Sequence, residues 1–168
     1  MNGLRILAFI AVALVLQTTL ARFLVRGSIG VDLVLVIVIY LSLRAGPTVG
    51  IVSGTVAGLA QDALTTGVVG IGGLGKTIVG YLAGTVGRAF IVAQPVPRFL
   101  VFFAATLIEM AVITGFHLLL DPGPPVVPVG AIFAQAFGNS LVGIVLFQLA
   151  DGLPHIAERR RARSGRNS

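Results

Sequence analysis

Three ionisable residues stand within long apolar stretches of this chain, Asp62, Lys76 and Glu109, and they are the first places to look for chemistry. A carboxylate or ammonium near the centre of a bilayer costs about 2.5 to 3.5 kcal/mol on insertion scales, so it faces a protein partner or a cavity. Asp62 and Lys76 bracket one helical hairpin. They suit either a proton relay or an ion pair that fixes two helices near the outer surface, and the pair is the expectation. Glu109 has no partner close to it in sequence. Gln135 and Asn139 share one face of a later apolar run and are placed to hydrogen-bond to it across a helix interface.

Gly70-Ile71-Gly72-Gly73-Leu74-Gly75-Lys76-Thr77 matches the phosphate-cradling loop G-x-x-x-x-G-K-[ST]. That loop needs a buried strand before it and a second, acidic strand for magnesium. Here a glycine-striped apolar segment and a charge-free loop precede it, so ATP hydrolysis is not expected. His117 lies near the end of an apolar run and reads as interfacial. Two distant histidines and no cysteine give no metal constellation, and no nucleophile has a base beside it. The expectation is a protein without cofactor or metal that is not an enzyme.

The elements that must position these residues follow from the apolar pattern. Hydrophobic residues make up 56% of the 168, charged residues only 11%, and mean hydropathy is +1.01, which a soluble domain does not reach. Apolar runs bounded by Arg, Pro, Gly or Asp predict six transmembrane helices, at about 4–20, 30–43, 48–64, 74–86, 99–120 and 129–149. Met1 to Ala21 has features of a signal peptide, but the spans that follow favour an uncleaved first helix. The fold class is an all-α integral membrane bundle: one transmembrane domain over 1–153 and a basic, disordered cytoplasmic tail over 154–168.

Gly46, Gly50, Gly54 and Gly58 recur at a spacing of four, with Asp62 next in the series, and Gly80 and Gly84 repeat the spacing in the fourth span. Glycine inside a helix costs about 1 kcal/mol relative to alanine, so such a stripe needs a compensating role. In lipid that role is close backbone approach, either within the bundle or against a partner's span. On this basis Gly54→Leu should block packing and Gly54→Ala should be mild.

Arginines set the orientation. Arg5, Arg44, Arg88, Arg98 and the tail residues Arg159, Arg160, Arg161, Arg163 and Arg166 fall on one side, and only Arg22 and Arg26 on the other. Nine against two predicts both termini in the cytoplasm. The tail arginines suit anionic lipid rather than nucleic acid.

The run from Val31 through Asp32, Tyr40 and Arg44 to Pro47, the series Gly50, Gly54, Gly58, Leu59 and Asp62, then Gly70, Lys76-Thr77 and Gly80-Tyr81-Leu82-Ala83-Gly84, resembles the rod shape-determining MreD family. The resemblance spans about Leu4 to Leu149 and is most specific over 31–84; the last two spans share only hydropathy and spacing. It implies a non-enzymatic scaffold subunit of the bacterial cell-elongation machinery in the cytoplasmic membrane, involved in rod cell shape. The implied partners are a single-span MreC-like protein, an MreB-like actin, and the glycosyltransferase and transpeptidase that build lateral-wall peptidoglycan. The family offers no catalytic residues to carry over. It is also similar, at fold level, to the substrate-binding S components of energy-coupling-factor vitamin transporters, which supplies the alternative function. That alternative would want a polar pocket with aromatic walls. The chain has no tryptophan and two tyrosines.

Overall fold

The computed structural model describes residues 3–23, 30–65, 69–89, 94–120 and 127–164, which form helices without a strand among them. They are α1 (Gly3–Phe23), α2 (Leu33–Ala45), α3 (Pro47–Ala63), α4 (Ile71–Ala89), α5 (Pro95–Leu120) and α6 (Val129–Ser164). One helix stands at each of the six predicted positions. Several boundaries differ, and α5 begins at Pro95 rather than at about 99. α4 begins at Ile71, inside the stretch expected to be loop. α6 continues to Ser164, through residues 154–164 that the sequence predicts to be disordered. Ala157-Glu158-Arg159-Arg160-Arg161-Ala162-Arg163 consists of strong helix formers, and extending an existing helix avoids the cost of nucleating one. Arg26, the Asp121 to Pro125 turn and Arg166 lie outside the described residues.

α2 is the axis of the bundle. Its thirteen residues are nearly all apolar, and Val34, Leu35, Val36, Val38, Ile39, Tyr40, Leu41 and Ser42 are buried. A helix that is apolar all round has no face to offer water, so it is enclosed. Each of the other five helices packs against it. Phe102 of α5 and Phe147 of α6 meet edge to face beside it at 6.2 Å, and Tyr40 meets Phe147 at 4.8 Å. On the outside, Leu7, Val52, Val56, Leu100, Phe133, Leu141 and Val145 are exposed, as suits a bundle whose solvent is lipid.

The α2–α3 junction is one residue long. Gly46 closes α2 by donating its N–H to the Ser42 carbonyl at 2.8 Å, and Pro47 opens α3, where its missing N–H is no loss. Gly46 has φ +91°, in the region where a side chain is strained. The first member of the stripe is therefore a turn glycine.

The other stripe glycines form an internal seam between the antiparallel helices α3 and α4, which settles the choice between an internal and an intermolecular face in favour of the former. Gly50 lies on the backbone of Gly80, Gly54 on that of Lys76 and Thr77, Gly58 on Gly73, and Gly84 on Pro47. A Cβ at position 54 would stand 2.7 Å from the Lys76 carbonyl carbon and 2.9 Å from Thr77 Cα. Those are backbone atoms that cannot swing aside, so the expectation that alanine is mild here is wrong. Thr55 and Thr77 bridge the seam through their hydroxyls at 2.8 Å.

Candidate functional site

The N-terminus of α2 is where the polar side chains of the bundle converge. A helix start leaves its first N–H groups without intrahelical partners, and in an apolar interior each must be met by protein. Asp32 is the N-cap, and its Oδ1 accepts from Leu35 N at 2.9 Å. Gln17 of α1 accepts from Leu33 N at 2.8 Å and donates to the Val31 carbonyl at 3.1 Å. Asn139 of α6 accepts from Asp32 N at 2.8 Å and donates to Thr106 of α5 at 3.1 Å. Thr106 in turn donates to the Phe102 carbonyl at 2.9 Å.

Into this cap reaches Lys76 from α4. Its Nζ is 2.9 Å from Asp32 Oδ2 and 2.5 Å from Glu109 Oε1 of α5. Gln61 of α3 completes the cluster, donating to Asp32 Oδ2 at 3.5 Å. The three charged side chains are 9%, 4% and 0% exposed for Asp32, Lys76 and Glu109. Every one of the six helices thus contributes a polar side chain, or a cap, to one point.

Two sequence expectations are corrected. Asp62 does not pair with Lys76. Its Oδ2 accepts from Gly70 N at 2.8 Å and Gly73 N at 3.1 Å, so it caps the start of α4, where a helix favours negative charge. Nor does Glu109 bond to Gln135 and Asn139; Lys76 takes it, Asn139 serves Asp32 and Thr106, and half-buried Gln135 is no part of the cluster. Glu109 thus takes a charged partner in preference to a neutral amide, while Asp62 takes backbone N–H groups at a helix start. Asp32 is the charged member that sequence reasoning missed as a site residue, and the neutral Gln17, Gln61 and Thr106 were missed with it. The signal was an aspartate directly before the apolar run that opens at Leu33, an N-cap pattern.

The same geometry disposes of nucleotide binding at Gly70 to Thr77. The amides that would cradle a phosphate hold the Asp62 carboxylate, Lys76 is buried between two carboxylates, and Thr77 donates to the Gly73 carbonyl at 2.7 Å. A helix, not a strand, precedes the motif. His117 is exposed, with its ring 3.0 Å from the Ile113 carbonyl. Among the described residues there is no group of three potential metal ligands.

The opposite end of α2 carries a second charged cluster. Arg44 and Arg98 both reach Asp151 of α6, the latter at 3.0 Å, and the Arg98 guanidinium lies 4.3 Å from the Phe147 ring centre. The Arg88 side chain lies against Gly46 at the same end. Arg44, Arg88 and Arg98 are therefore gathered on one side of the bundle, as their grouping in sequence predicts. Of the tail, Arg159, Arg160, Arg161 and Arg163 lie on the extension of α6.

Apolar helices packed around a polar centre define the class: a small all-helical bundle, in which α5 and the Val129–Asp151 part of α6 are long and apolar enough to cross a membrane. Comparison with known families narrows it. The model of the rod shape-determining protein MreD matches residues 1–122, and the chain belongs to that family of membrane proteins, which determines rod cell shape. The match takes in α1 to α5, with the seam, Asp32, Lys76 and Glu109, and leaves α6 outside. No curated protein and no solved structure matches the chain, so the similarity to transporter S components finds no support there.

Proposed function

We propose that this chain is a non-catalytic scaffold subunit of the machinery that elongates the bacterial cell wall, crossing the cytoplasmic membrane six times with both termini inside. The observation that carries the reading is the use of the polar core: among the described residues its charged and amide side chains serve to hold helices to one another. Such a core suits a rigid platform. Membership of the shape-determining family supplies the context, and with it the partners: an MreC-like single-span protein, an MreB-like actin, and a peptidoglycan glycosyltransferase and transpeptidase. The gathering of Arg44, Arg88 and Arg98 at one end supports placing that end in the cytoplasm, where the arginine-rich tail meets anionic lipid. A transporter-type role is less well supported, since the cavity of about 220 Å³ between α4 and α5 is lined by Val79, Leu82, Ala83, Val86, Leu100 and other apolar residues, with no polar group to orient a vitamin.

Depletion of the protein from a rod-shaped host, with crosslinking and mass spectrometry of the tagged chain, tests the role. Rounded cells and recovery of the wall-synthesis partners are expected. Normal rods, or recovery of an ATP-driven transport module, would refute it. The absence of native cysteine makes topology directly measurable, because each single cysteine introduced reports its own side of the membrane. Cysteines at Arg44 and Arg98 are expected to be shielded from an impermeant thiol reagent in intact cells, and one at Thr65 to be labelled.

A further inference from the structure

The polar centre of the bundle contains more acid than base. The charged groups facing Glu109 are Lys76 from α4, Asp32 capping α2 and, further off, Asp62 at the end of α3. α6 contributes the neutral Asn139 and α3 the neutral Gln61. Asp62 is occupied with the start of α4, which leaves one ammonium between two enclosed carboxylates. With both ionised, the cluster carries one uncompensated negative charge in an apolar interior, the arrangement that buried sites avoid.

The two acids are not equally provided for. Asp32 accepts on both oxygens, from Leu35 N, from Lys76 and from Gln61, at a helix N-terminus that favours an anion. Glu109 is fully buried, has only Lys76 on Oε1, and its Oε2 is without any hydrogen-bond partner. An ionised carboxylate accepts on both oxygens, whereas a protonated one has an oxygen carrying hydrogen. The other buried side-chain atom without a partner among the described residues, Gln61 Oε1, belongs to the residue that donates to Asp32 and adds no second donor to Glu109. A proton also needs no cavity, unlike a hydrated ion.

We propose that the Asp32–Lys76–Glu109 site binds one proton from the aqueous phase, on Oε2 of Glu109, as a stoichiometric constituent of the folded bundle. Lys76 then neutralises Asp32, the site is neutral, and the position of α5 against α2 and α4 depends on the proton's presence. Its removal sets Asp32 and Glu109 in opposition across a single ammonium.

The test is infrared spectroscopy of the full chain in lipid nanodiscs at pH 7. Glu109 and Glu158 are its only glutamates, so ¹³C-glutamate labelling in an E158A background assigns the carboxyl stretch to Glu109 without altering the site. A protonated carboxyl band that shifts with the label, and is lost in E109Q, is expected. The same band should disappear in D32N, because Lys76 is then free to neutralise Glu109 alone. An ionised Glu109 in the labelled E158A chain would overturn the proposal, as would a protonated band that persists in D32N. A thermal midpoint that rises with sodium at fixed pH and ionic strength, and does so only while Glu109 is present, would overturn it in favour of a metal cation. E109Q, which mimics the protonated acid, is expected to unfold at the wild-type temperature; should it fail to fold, the labelled E158A chain alone still decides the matter.

Discussion

Replacing Lys76 by methionine keeps most of the length of the side chain and deletes the charge on which two helices and a cap depend. The ammonium contacts Asp32 and Glu109 at 2.9 and 2.5 Å, with all three side chains at or below 9% exposure, so neither water nor a rotamer change can substitute for it. Breaking a buried pair by removing one partner costs roughly 3 to 5 kcal/mol, because the remaining charge is left without compensation. For a chain of this size each kcal/mol moves the unfolding midpoint by about 2 to 4 °C, which places the loss at roughly 6 to 20 °C. Thermal unfolding of purified protein in mild detergent, followed by circular dichroism, reads this directly. Adding D32N and E109Q to K76M leaves the site without an ionisable group, and at least half of the loss should return. Were K76M to melt within about 2 °C of wild type, equivalent to less than about 1 kcal/mol, the cluster would be solvated and the reasoning refuted. A triple variant as unstable as the single one would refute it equally.

The seam yields a second prediction: Gly54→Ala, which gains about 1 kcal/mol in helix propensity, still lowers stability by about 1 to 3 kcal/mol through overpacking, and Gly54→Leu prevents accumulation in the membrane. Equal tolerance of alanine and leucine, measured as folded protein per cell, would mean that α3 and α4 do not pack as described. Asp62→Ala, which deletes the cap of α4, should cost about 0.5 to 2 kcal/mol and add independently to K76M; a coupling energy above about 1 kcal/mol in that double-mutant cycle would restore the ion pair rejected above. At the arginine-rich end, Asp151→Asn should cost only about 1 kcal/mol or less in the same melt, because its side chain is 43% exposed and Arg98 retains the Phe147 ring.

Much of this architecture was legible in the sequence because helices announce themselves locally. Apolar runs, their Pro and Gly boundaries, and the four-residue period of glycine require no knowledge of distant residues, and each predicted helix is found. The register of the seam was half legible: Gly80 and Gly84 repeat the period of Gly50 and Gly54, but which glycine meets which depends on the loop between the helices. What escaped was partnership across long separations. Lys76 lies fourteen residues from Asp62 and thirty-three from Glu109, and the nearer acid attracted the reading although the farther one holds it. Asp32 carries the N-cap pattern of an aspartate just before an apolar run, but only the fold reveals that this cap is the meeting point of the whole bundle. The helical continuation to Ser164 escaped for a different reason, since the composition of the tail satisfies disorder and helix equally well until a preceding helix is there to extend.

The enclosure of α2 has a consequence for how the chain is made. Synthesis proceeds from the N-terminus, so α2 emerges second, while Lys76, Glu109 and Asn139, which complete its polar end, and Asp151, which binds Arg44 at the other, are all still to come. A thirteen-residue helix is only about 20 Å long, short of the roughly 30 Å of hydrocarbon, and it waits with an unpaired aspartate at one end and an unpaired arginine at the other. Its final place is a slot that exists only once four later helices have closed around it. The last helix to be synthesised thus completes the surroundings of the second, and a chain interrupted before Asp151 lacks the carboxylate that pairs with Arg44 and Arg98.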